Sequence, residues 1–267
     1  MKNKMIIKSK TWKPEEYIHI EVCKKAISDE NTFNNFKKMP NFVDVLEHTT
    51  EKWGRCYMQL IFNNFVNVIN VIDWNKIKEN DKYGNASKCD FSELKKYVKL
   101  DNYNISPSTI AYTYKGLCIL DFLLNKKINN VKILEIGGGY GGQCKILYDL
   151  SEIFNIKIEQ YGIIDLSVVL KLQNKYLSLL GYNGVFFYEY EELKNFNDFN
   201  EYNVLISIYA LGEFDVNIQN FYIENILKNI NTYYIIWNTA PVNDYFSGCK
   251  ITDEVPKTGA YNKLILK

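Results

Sequence analysis

The sequence predicts an α/β domain, with a mostly parallel sheet and helices on both faces, preceded by a mainly helical region. From Val131 onward, short apolar runs alternate with segments of helical periodicity, and such alternation builds a parallel sheet covered by helices. Before that point, apolar residues recur every three or four positions, as on one face of a helix. We therefore expect two parts, residues 1–128 and residues 129–267.

Six runs in the second part have the length and composition of strands. These predicted strands are Val131–Ile136, Ile156–Asp165, Val185–Tyr188, Val204–Ile208, Tyr233–Trp237 and Lys263–Leu266. Helices are expected from about Gly141, between Val169 and Leu180, and between Ile223 and Ile230. Gly181 follows the second of these, where a left-handed glycine commonly ends a helix.

The first part contains two strong helical patterns. Apolar residues repeat at helical spacing from Met58 to Ile72 and again from Ile110 to Leu124. Ser106-Pro107 predicts the start of the second helix, since the hydroxyl can cap it and proline suits the first turn. The polar stretch Asn75–Asn104 between them is predicted to be a loop and a candidate lid.

Composition narrows the class of protein. The net charge of +1 argues against nucleic acid as a partner, because such proteins favour a basic face. The six cysteines show neither metal-ligand spacing nor a disulfide framework. Met5-Ile6-Ile7 is too short for the apolar core of a signal peptide, and asparagines interrupt the most apolar segment, Leu60–Ile72. A cytoplasmic protein without membrane insertion is expected.

The most informative segment joins the first predicted strand to its helix, where glycine fills five of the six positions 137–142. Glycine adopts positive φ and lets the backbone approach a ligand, and the helix start presents free N–H groups. Such a turn is typical of a site for a nucleotide-like cofactor. The expected cofactor contacts in this loop are Gly137, Gly138, Gly139, Tyr140, Gly141 and Gln143.

Glu135, two residues before the first glycine, favours S-adenosylmethionine (SAM) over NAD. A dinucleotide places its pyrophosphate at this loop, and a neighbouring carboxylate would repel it. SAM has no phosphate, and its ammonium and sulfonium groups are positive. The spacing Gly137-x-Gly139-x-x-Gly142 alone fits the dinucleotide pattern as well, so the acid decides the preference.

Further cofactor contacts are expected at the carboxyl ends of the other strands, where ligands bind in α/β sheets. Asp165 ends the second strand and can accept hydrogen bonds from both ribose hydroxyls, with Leu166 beside it. Glu189 follows the third strand. Ser207 and Ile208 end the fourth strand and are expected near the methionine part of SAM.

Catalytic candidates follow the fourth strand. A hydroxyl attacks a methyl group poorly until a base removes its proton, and Glu213 is the preferred base. Glu213 can equally be a solvated acid at the start of the next helix. Tyr209 can pack against the sulfonium by cation–π attraction. Mg²⁺ held by Glu213, Asp215 and Asp244 is the alternative, and a mechanism without metal is preferred.

Four motifs together resemble the sugar O-methyltransferases, SAM-dependent enzymes of surface-polysaccharide pathways. The motifs are Glu135–Gln143 (EIGGGYGGQ), Tyr161–Leu166 (YGIIDL), Ser207–Glu213 (SIYALGE) and Ile105–Thr109 (ISPST). The resemblance covers roughly Tyr103–Trp237. It implies a Rossmann-like methyltransferase domain of class I, with a mostly parallel seven-stranded sheet.

The resemblance also implies methylation of a sugar hydroxyl, with a nucleotide-activated sugar for capsular polysaccharide as the expected acceptor. The chain departs from the family at Ser167-Val168, where Pro-Glu is usual, and at Gly212, where serine is usual. Short polar groups and rings of the kind that bind a polyol are candidate acceptor contacts, and an arginine is a candidate diphosphate ligand. These candidates are Ser106, Thr109, Tyr112, Asn238 and Arg55.

Two other functions remain open from the sequence. One is an NAD(P)-dependent oxidoreductase or epimerase acting on sugars, for which no Tyr-x-x-x-Lys pair stands at a strand end after Gly142. The other is a binding protein that keeps the SAM fold without catalysis. The helical first part is expected to serve as a lid, an acceptor-binding element or the contact of a homodimer.

Overall fold

The computed structural model describes residues 18–195 and 199–267, so the basic start and Met5-Ile6-Ile7 lie outside the described residues. The predicted fold class is confirmed: a mostly parallel seven-stranded sheet carries helices on both faces and follows a helical N-terminal region. All six predicted strands are present, with ends shifted by at most one residue. A seventh strand, Lys250–Asp253, is added at one edge.

The strands form two sheets. Strands β1 and β2 make a small antiparallel pair, and the other seven lie in the order β5-β4-β3-β6-β7-β9-β8. Strands β3 to β7 pair in parallel, whereas β9 runs antiparallel to both β7 and β8. Their bounds are β1 Cys89–Asp90, β2 Asn104–Ile105, β3 Asn130–Ile136, β4 Lys157–Asp165, β5 Val185–Glu189, β6 Val204–Ile208, β7 Thr232–Trp237, β8 Lys250–Asp253 and β9 Lys263–Leu266.

Ten α-helices occur in the described part of the chain, with short 3₁₀ turns between them. The helices are α1 Ile18–Ser28, α2 Glu30–Phe33, α3 Pro40–Leu46, α4 Glu51–Asn64, α5 Trp74–Lys78, α6 Pro107–Asn125, α7 Gly142–Ser151, α8 Ser167–Leu179, α9 Ala210–Glu213 and α10 Val216–Asn225. As predicted, α6 begins at Pro107, and the Ser106 hydroxyl caps it by accepting from the Thr109 N–H at 3.1 Å.

Successive side chains of β3 point alternately into two apolar cores, one on each face of the sheet. Val131 and Ile133 join the core on the side of α6, α7 and α8, whereas Leu134 and Ile136 join the core on the side of α10. Side chains alternate between the faces of a strand, so Glu135 projects towards α6, α7 and α8. This register decides which of the two cores receives the carboxylate.

The N-terminal helices and the sheet share an apolar core. One continuous cluster includes Phe36 and Met58 from the N-terminal region together with Ile133 and Tyr161 from the sheet. Helix α6 is the bridge, because 13 of its 19 residues are buried. The division near residue 128 stays a prediction, and apolar packing crosses it.

Three local predictions are wrong. The stretch Asn75–Asn104 is packed rather than open, since it contains α5, two 3₁₀ turns and the buried residues Asn80 and Phe91. Helix α4 ends at Asn64, and turns continue the apolar spacing to Ile72. Strand β8 escaped prediction because all four of its residues are exposed, so its sequence has no apolar alternation.

The described cysteines are all free thiols, as the absence of a disulfide framework predicts. Within residues 18–195 and 199–267, we find no helix with both the length and the apolar character needed to cross a membrane.

Candidate cofactor and acceptor site

The glycine loop makes a sharp turn between β3 and α7. Gly137, Gly139 and Gly141 have φ values of +75°, +57° and +95°, which residues with a Cβ rarely adopt. Glycine is also needed for space at position 137, because a Cβ there would lie 2.2 Å from the Cβ of Ala210. Gly141 precedes the first turn of α7, which no side chain caps. The helix start therefore keeps N–H groups available to a ligand.

The loop after β6 touches the glycine loop. The Ser207 hydroxyl accepts from the Leu211 N–H at 3.1 Å and donates to the Ile136 carbonyl at 3.3 Å. These bonds join the carboxyl ends of β3 and β6. Ile208 is partly buried beside them, and Tyr209 follows with φ of +74°. The structure thus brings the predicted residues Ser207 and Ile208 to the glycine loop.

Asp165 stands at the end of β4 and is tied to the same loop. Its carboxylate accepts from the Leu166 N–H at 2.8 Å and from the Gln173 amide at 2.9 Å, and the Gly138 N–H favours its charge. The Gln173 amide also donates to the Gly139 carbonyl at 2.8 Å. Burial nevertheless raises the pKa of Asp165 to about 7. Asp165 and Leu166 remain partly exposed at the strand end, as a ribose ligand requires.

Glu135 occupies a different place from the one the sequence suggested. Its side chain is buried behind Gly138 and accepts from the Tyr161 hydroxyl at 2.9 Å. Burial raises the pKa of Glu135 to about 7, and the hydrogen bond from Tyr161 opposes that shift. The carboxylate therefore supports the loop from the side of the core. Its direct contact with a cofactor stays a prediction.

The remaining cofactor candidates also have partners within the protein. Glu189 accepts from the Ser167 hydroxyl at 2.6 Å beside the end of β4. Gln143 is buried and donates to the Tyr112 carbonyl at 3.3 Å, while its Oε1 has no hydrogen-bond partner. The buried Tyr140 hydroxyl accepts from the Asn80 amide at 3.2 Å. These bonds connect the glycine loop to the N-terminal region.

Among the acceptor candidates, Ser106 and Thr109 are buried and bound to Asp81. Both hydroxyls donate to Asp81 Oδ1, at 2.7 and 2.8 Å, and Thr109 also accepts from the Asn80 amide at 2.8 Å. They fix the start of α6, and their role towards an acceptor stays a prediction. Tyr112 lies closer to the loop, because its hydroxyl is 3.8 Å from the point where a Cβ on Gly139 would lie.

Glu213 and Asn238 are brought together after β6 and β7. The Asn238 amide donates to Glu213 Oε1 at 2.5 Å, and the Glu213 side chain is exposed. Arg55 is placed elsewhere: it bonds Glu51 at 2.7 Å and lies 3.7 Å from Glu93. None of its contacts belongs to a carboxyl end of the large sheet, so the structure does not bring Arg55 to the glycine loop.

Tyr209 faces the hairpin of β8 and β9. Its hydroxyl donates to the buried Glu254 at 2.5 Å, and the Lys115 ammonium lies 4.5 Å from its ring centroid. Burial lowers the pKa of Lys115 to about 8, against the attraction of Glu254. The cation–π partner of this ring in the structure is therefore Lys115, and contact with a sulfonium stays a prediction.

Sequence reasoning missed several residues of the site. They are Leu46 beside Gly139, Glu47 directly after Leu46 in the chain, Gln173 bonded to Asp165, and Lys115 and Glu254 around Tyr209. Only Gln173 had a sequence signal, since it lies two helical turns after Asp165. The others come from distant segments and follow no local pattern.

Comparison with known proteins gives similarity to solved methyltransferase structures. No family model matches the sequence, and no curated protein matches it either. The methyltransferase domain of bacterial CtHen1-CN is 13% identical over 57% of this chain and 96% of that chain, with a TM-score of 0.43.

Two further structures are similar to this chain. Magnesium protoporphyrin IX methyltransferase from Synechocystis, with bound S-adenosylhomocysteine (SAH), is 10% identical over 66% of this chain and 92% of that chain (TM-score 0.41). PKMT2 from Rickettsia typhi, in complex with SAH, is 21% identical over 49% of this chain but only 26% of that chain (TM-score 0.37). Because these identities and TM-scores are low, the fold is assigned from the strand order and register of this chain alone.

The buried Glu135 gives a prediction for stability. Its pKa is raised from 4.5 to about 7, so the unfolded chain releases this proton first. The free energy of unfolding contributed by Glu135 therefore falls as pH rises through that window. Glu135→Gln keeps an acceptor for Tyr161 and removes the titration. The difference in unfolding free energy, variant minus wild type, should be about 1–3 kcal/mol larger at about pH 8 than at about pH 5.

Urea unfolding at the two pH values measures this difference. Glu159→Gln, an exposed position on β4, is the matched control and should show no such pH dependence. A difference in stability between wild type and Glu135→Gln that is the same at both pH values would refute the assignment.

Proposed function

We propose that this protein is a SAM-dependent O-methyltransferase that acts on a sugar hydroxyl. The observation that carries the proposal is the left-handed glycine loop between β3 and an uncapped α7, bound through Gly138 to the acid at the end of β4. This arrangement suits a nucleoside with a cationic tail: backbone N–H groups face the ligand, and a carboxylate faces its ribose. A nucleotide-activated sugar is the preferred acceptor.

The strand order favours SAM over a dinucleotide. Dinucleotide-binding domains have the order 3-2-1-4-5-6 with parallel strands. In this chain an antiparallel β9 is inserted between β7 and β8, and the sheet has seven strands. The resemblance of the glycine-loop motif to sugar O-methyltransferases implies a sheet of this kind. The Glu135 carboxylate behind Gly138 also makes the loop unfavourable for a pyrophosphate.

The residues present fit SAM. Asp165 would hold the ribose hydroxyls, Leu166 would line the base, and the N–H groups at the start of α7 would face the amino-acid end. Bound SAM supplies an electrophilic methyl group. Glu213 would receive the proton of the attacking hydroxyl, while the Asn238 amide holds one of its carboxylate oxygens in place. Because this base can activate the hydroxyl, the proposed mechanism needs no metal.

The sugar acceptor is supported by the motifs around Ser207–Glu213 and by the polar groups at this edge. Tyr112, Glu213 and Asn238 offer hydrogen-bonding groups from separate elements, as a polyol requires.

The function is tested in two steps. Isothermal titration should give binding of SAM and SAH and no binding of NADH. Mass spectrometry after incubation with SAM and candidate nucleotide sugars should then show a product heavier by one CH₂ group, with and without EDTA. Binding of NADH in place of SAM would contradict the cofactor. Binding of SAM without methylation of any sugar would contradict the acceptor.

Asp165→Ala tests the ribose contact. Loss of hydrogen bonds to a charged acceptor should weaken SAM binding by about 1–3 kcal/mol. Asp121→Ala, an exposed acid on α6, is the control and should bind SAM as wild type does. Unchanged SAM affinity in a folded Asp165→Ala protein would remove Asp165 from the ribose site.

Glu213→Gln tests the base. Glutamine keeps the shape of the exposed Glu213 side chain but cannot accept the proton. SAM affinity should therefore stay unchanged while kcat falls by roughly 10²–10⁴. Glu224→Gln, on the exposed surface of α10, controls for loss of a nearby charge. Wild-type turnover in Glu213→Gln would exclude this residue as the base.

A further inference from the structure

Glu47, from the N-terminal region, lies at the glycine loop and has no role in the function described so far. We propose that the Glu47 carboxylate binds the α-ammonium group of SAM, so that the N-terminal region completes the cofactor site. This inference rests on the proposed function. It assigns Glu47 the contact with the cationic end of SAM that the sequence had suggested for Glu135.

The position of Glu47 follows from helix α3. The helix ends at Leu46, whose Cδ2 lies 3.9 Å from the Cβ position of Gly139, next to the Tyr112 hydroxyl. Glu47 is the next residue and is buried at the C-terminal end of this helix. Burial, and after it the charge of Glu47, raises the pKa of Tyr112 and of Tyr140, the second of which belongs to the glycine loop.

The carboxylate is buried and incompletely satisfied. Glu47 is 8% exposed, and its Oε2 has no hydrogen-bond partner. A buried carboxylate oxygen without a donor is costly and uncommon in folded proteins. Burial raises the pKa of Glu47 to about 7, while Lys37 and the hydroxyls of Ser108 and Tyr140 oppose the shift. A ligand with N–H donors and positive charge would satisfy the free oxygen.

The charges around Glu47 favour the binding of a second cation. Lys37 is buried, donates to the Asn80 carbonyl at 2.6 Å, and lies 4.0 Å from the Tyr140 ring centroid. Glu47 and Asp81 both attract this single ammonium. Asp81 already accepts from Ser106 and Thr109, whereas Glu47 keeps its unpaired oxygen. Glu47 is therefore the carboxylate that lacks a donor or a positive charge of its own.

The other two acids of the loop are less suited to this contact. Glu135 is 1% exposed, faces the core and accepts from Tyr161. Asp165 lies at the end of β4, where the ribose is expected. Glu47 directly follows Leu46, which lies with the Tyr112 hydroxyl beside Gly139, and in our proposal the amino-acid part of SAM extends to this side of the loop.

Ligands with and without an ammonium group test the assignment. Titration calorimetry would compare SAM, SAH and 5′-methylthioadenosine, which lacks the amino-acid part. Glu47→Gln should weaken SAM and SAH binding by about 10- to 100-fold and leave 5′-methylthioadenosine unchanged. Asp44→Asn, an exposed acid on α3, is the matched control and should bind all three ligands as wild type does.

A double variant separates binding from folding, because Glu47→Gln leaves Lys37 with fewer partners. Lys37→Met combined with Glu47→Gln removes both charges and should show the same selective loss of SAM and SAH. Wild-type SAM affinity in the folded double variant, or an equal loss for 5′-methylthioadenosine, would overturn the role of Glu47. Failure of the wild-type protein to bind SAM would instead overturn the proposed function.

Discussion

The full or partial burial of three carboxylates at one edge of the sheet is the constraint on which the candidate site depends. Glu47, Glu135 and Asp165 converge on a glycine loop, and burial raises the pKa of each to about 7. A buried acid opposes folding unless donors or cations satisfy it. Tyr161 satisfies Glu135, and Leu166 with Gln173 satisfies Asp165. Glu47 retains an oxygen without a hydrogen-bond partner, and this is the oxygen that we propose the α-ammonium group of SAM satisfies.

The N-terminal region is part of this edge rather than an appendage. Asn80 links Thr109 at the start of α6 to Tyr140 in the glycine loop, and the Tyr176 hydroxyl donates to Asn80 at 2.8 Å from α8. Lys37 closes the network by donating to the Asn80 carbonyl. Buried polar networks with satisfied members hold their elements in one arrangement. The network therefore holds the segment around Asn80 and the residue Lys37, which precedes α3, against the glycine loop.

Local sequence patterns were sufficient for six of the seven strands of the large sheet and for the glycine loop. Apolar runs defined β3, β4, β6 and β7 because these strands are buried on both faces, and the glycines at positive φ permitted only a tight turn. The same patterns misplaced Asn75–Asn104. Asn80 and Asp81 look like loop residues by type, yet they are buried through bonds to Thr109 and Ser106, which lie more than twenty positions away. Glu47 was unpredictable for the same reason, since only the packing of α3 on the loop gives it a role.

On the acceptor side, backbone strain is balanced by contacts that no local pattern indicates. Tyr209 has φ of +74°, and a non-glycine residue in that region costs about 1–3 kcal/mol. Its hydroxyl is bound by Glu254, whose carboxylate also accepts from Asn262 at 2.7 Å, and Lys115 covers its ring. These contacts hold Tyr209, which joins the end of β6 to the start of α9. The segment between β8 and β9, although at the edge of the sheet, thus contacts the residue that precedes the helix carrying the proposed base.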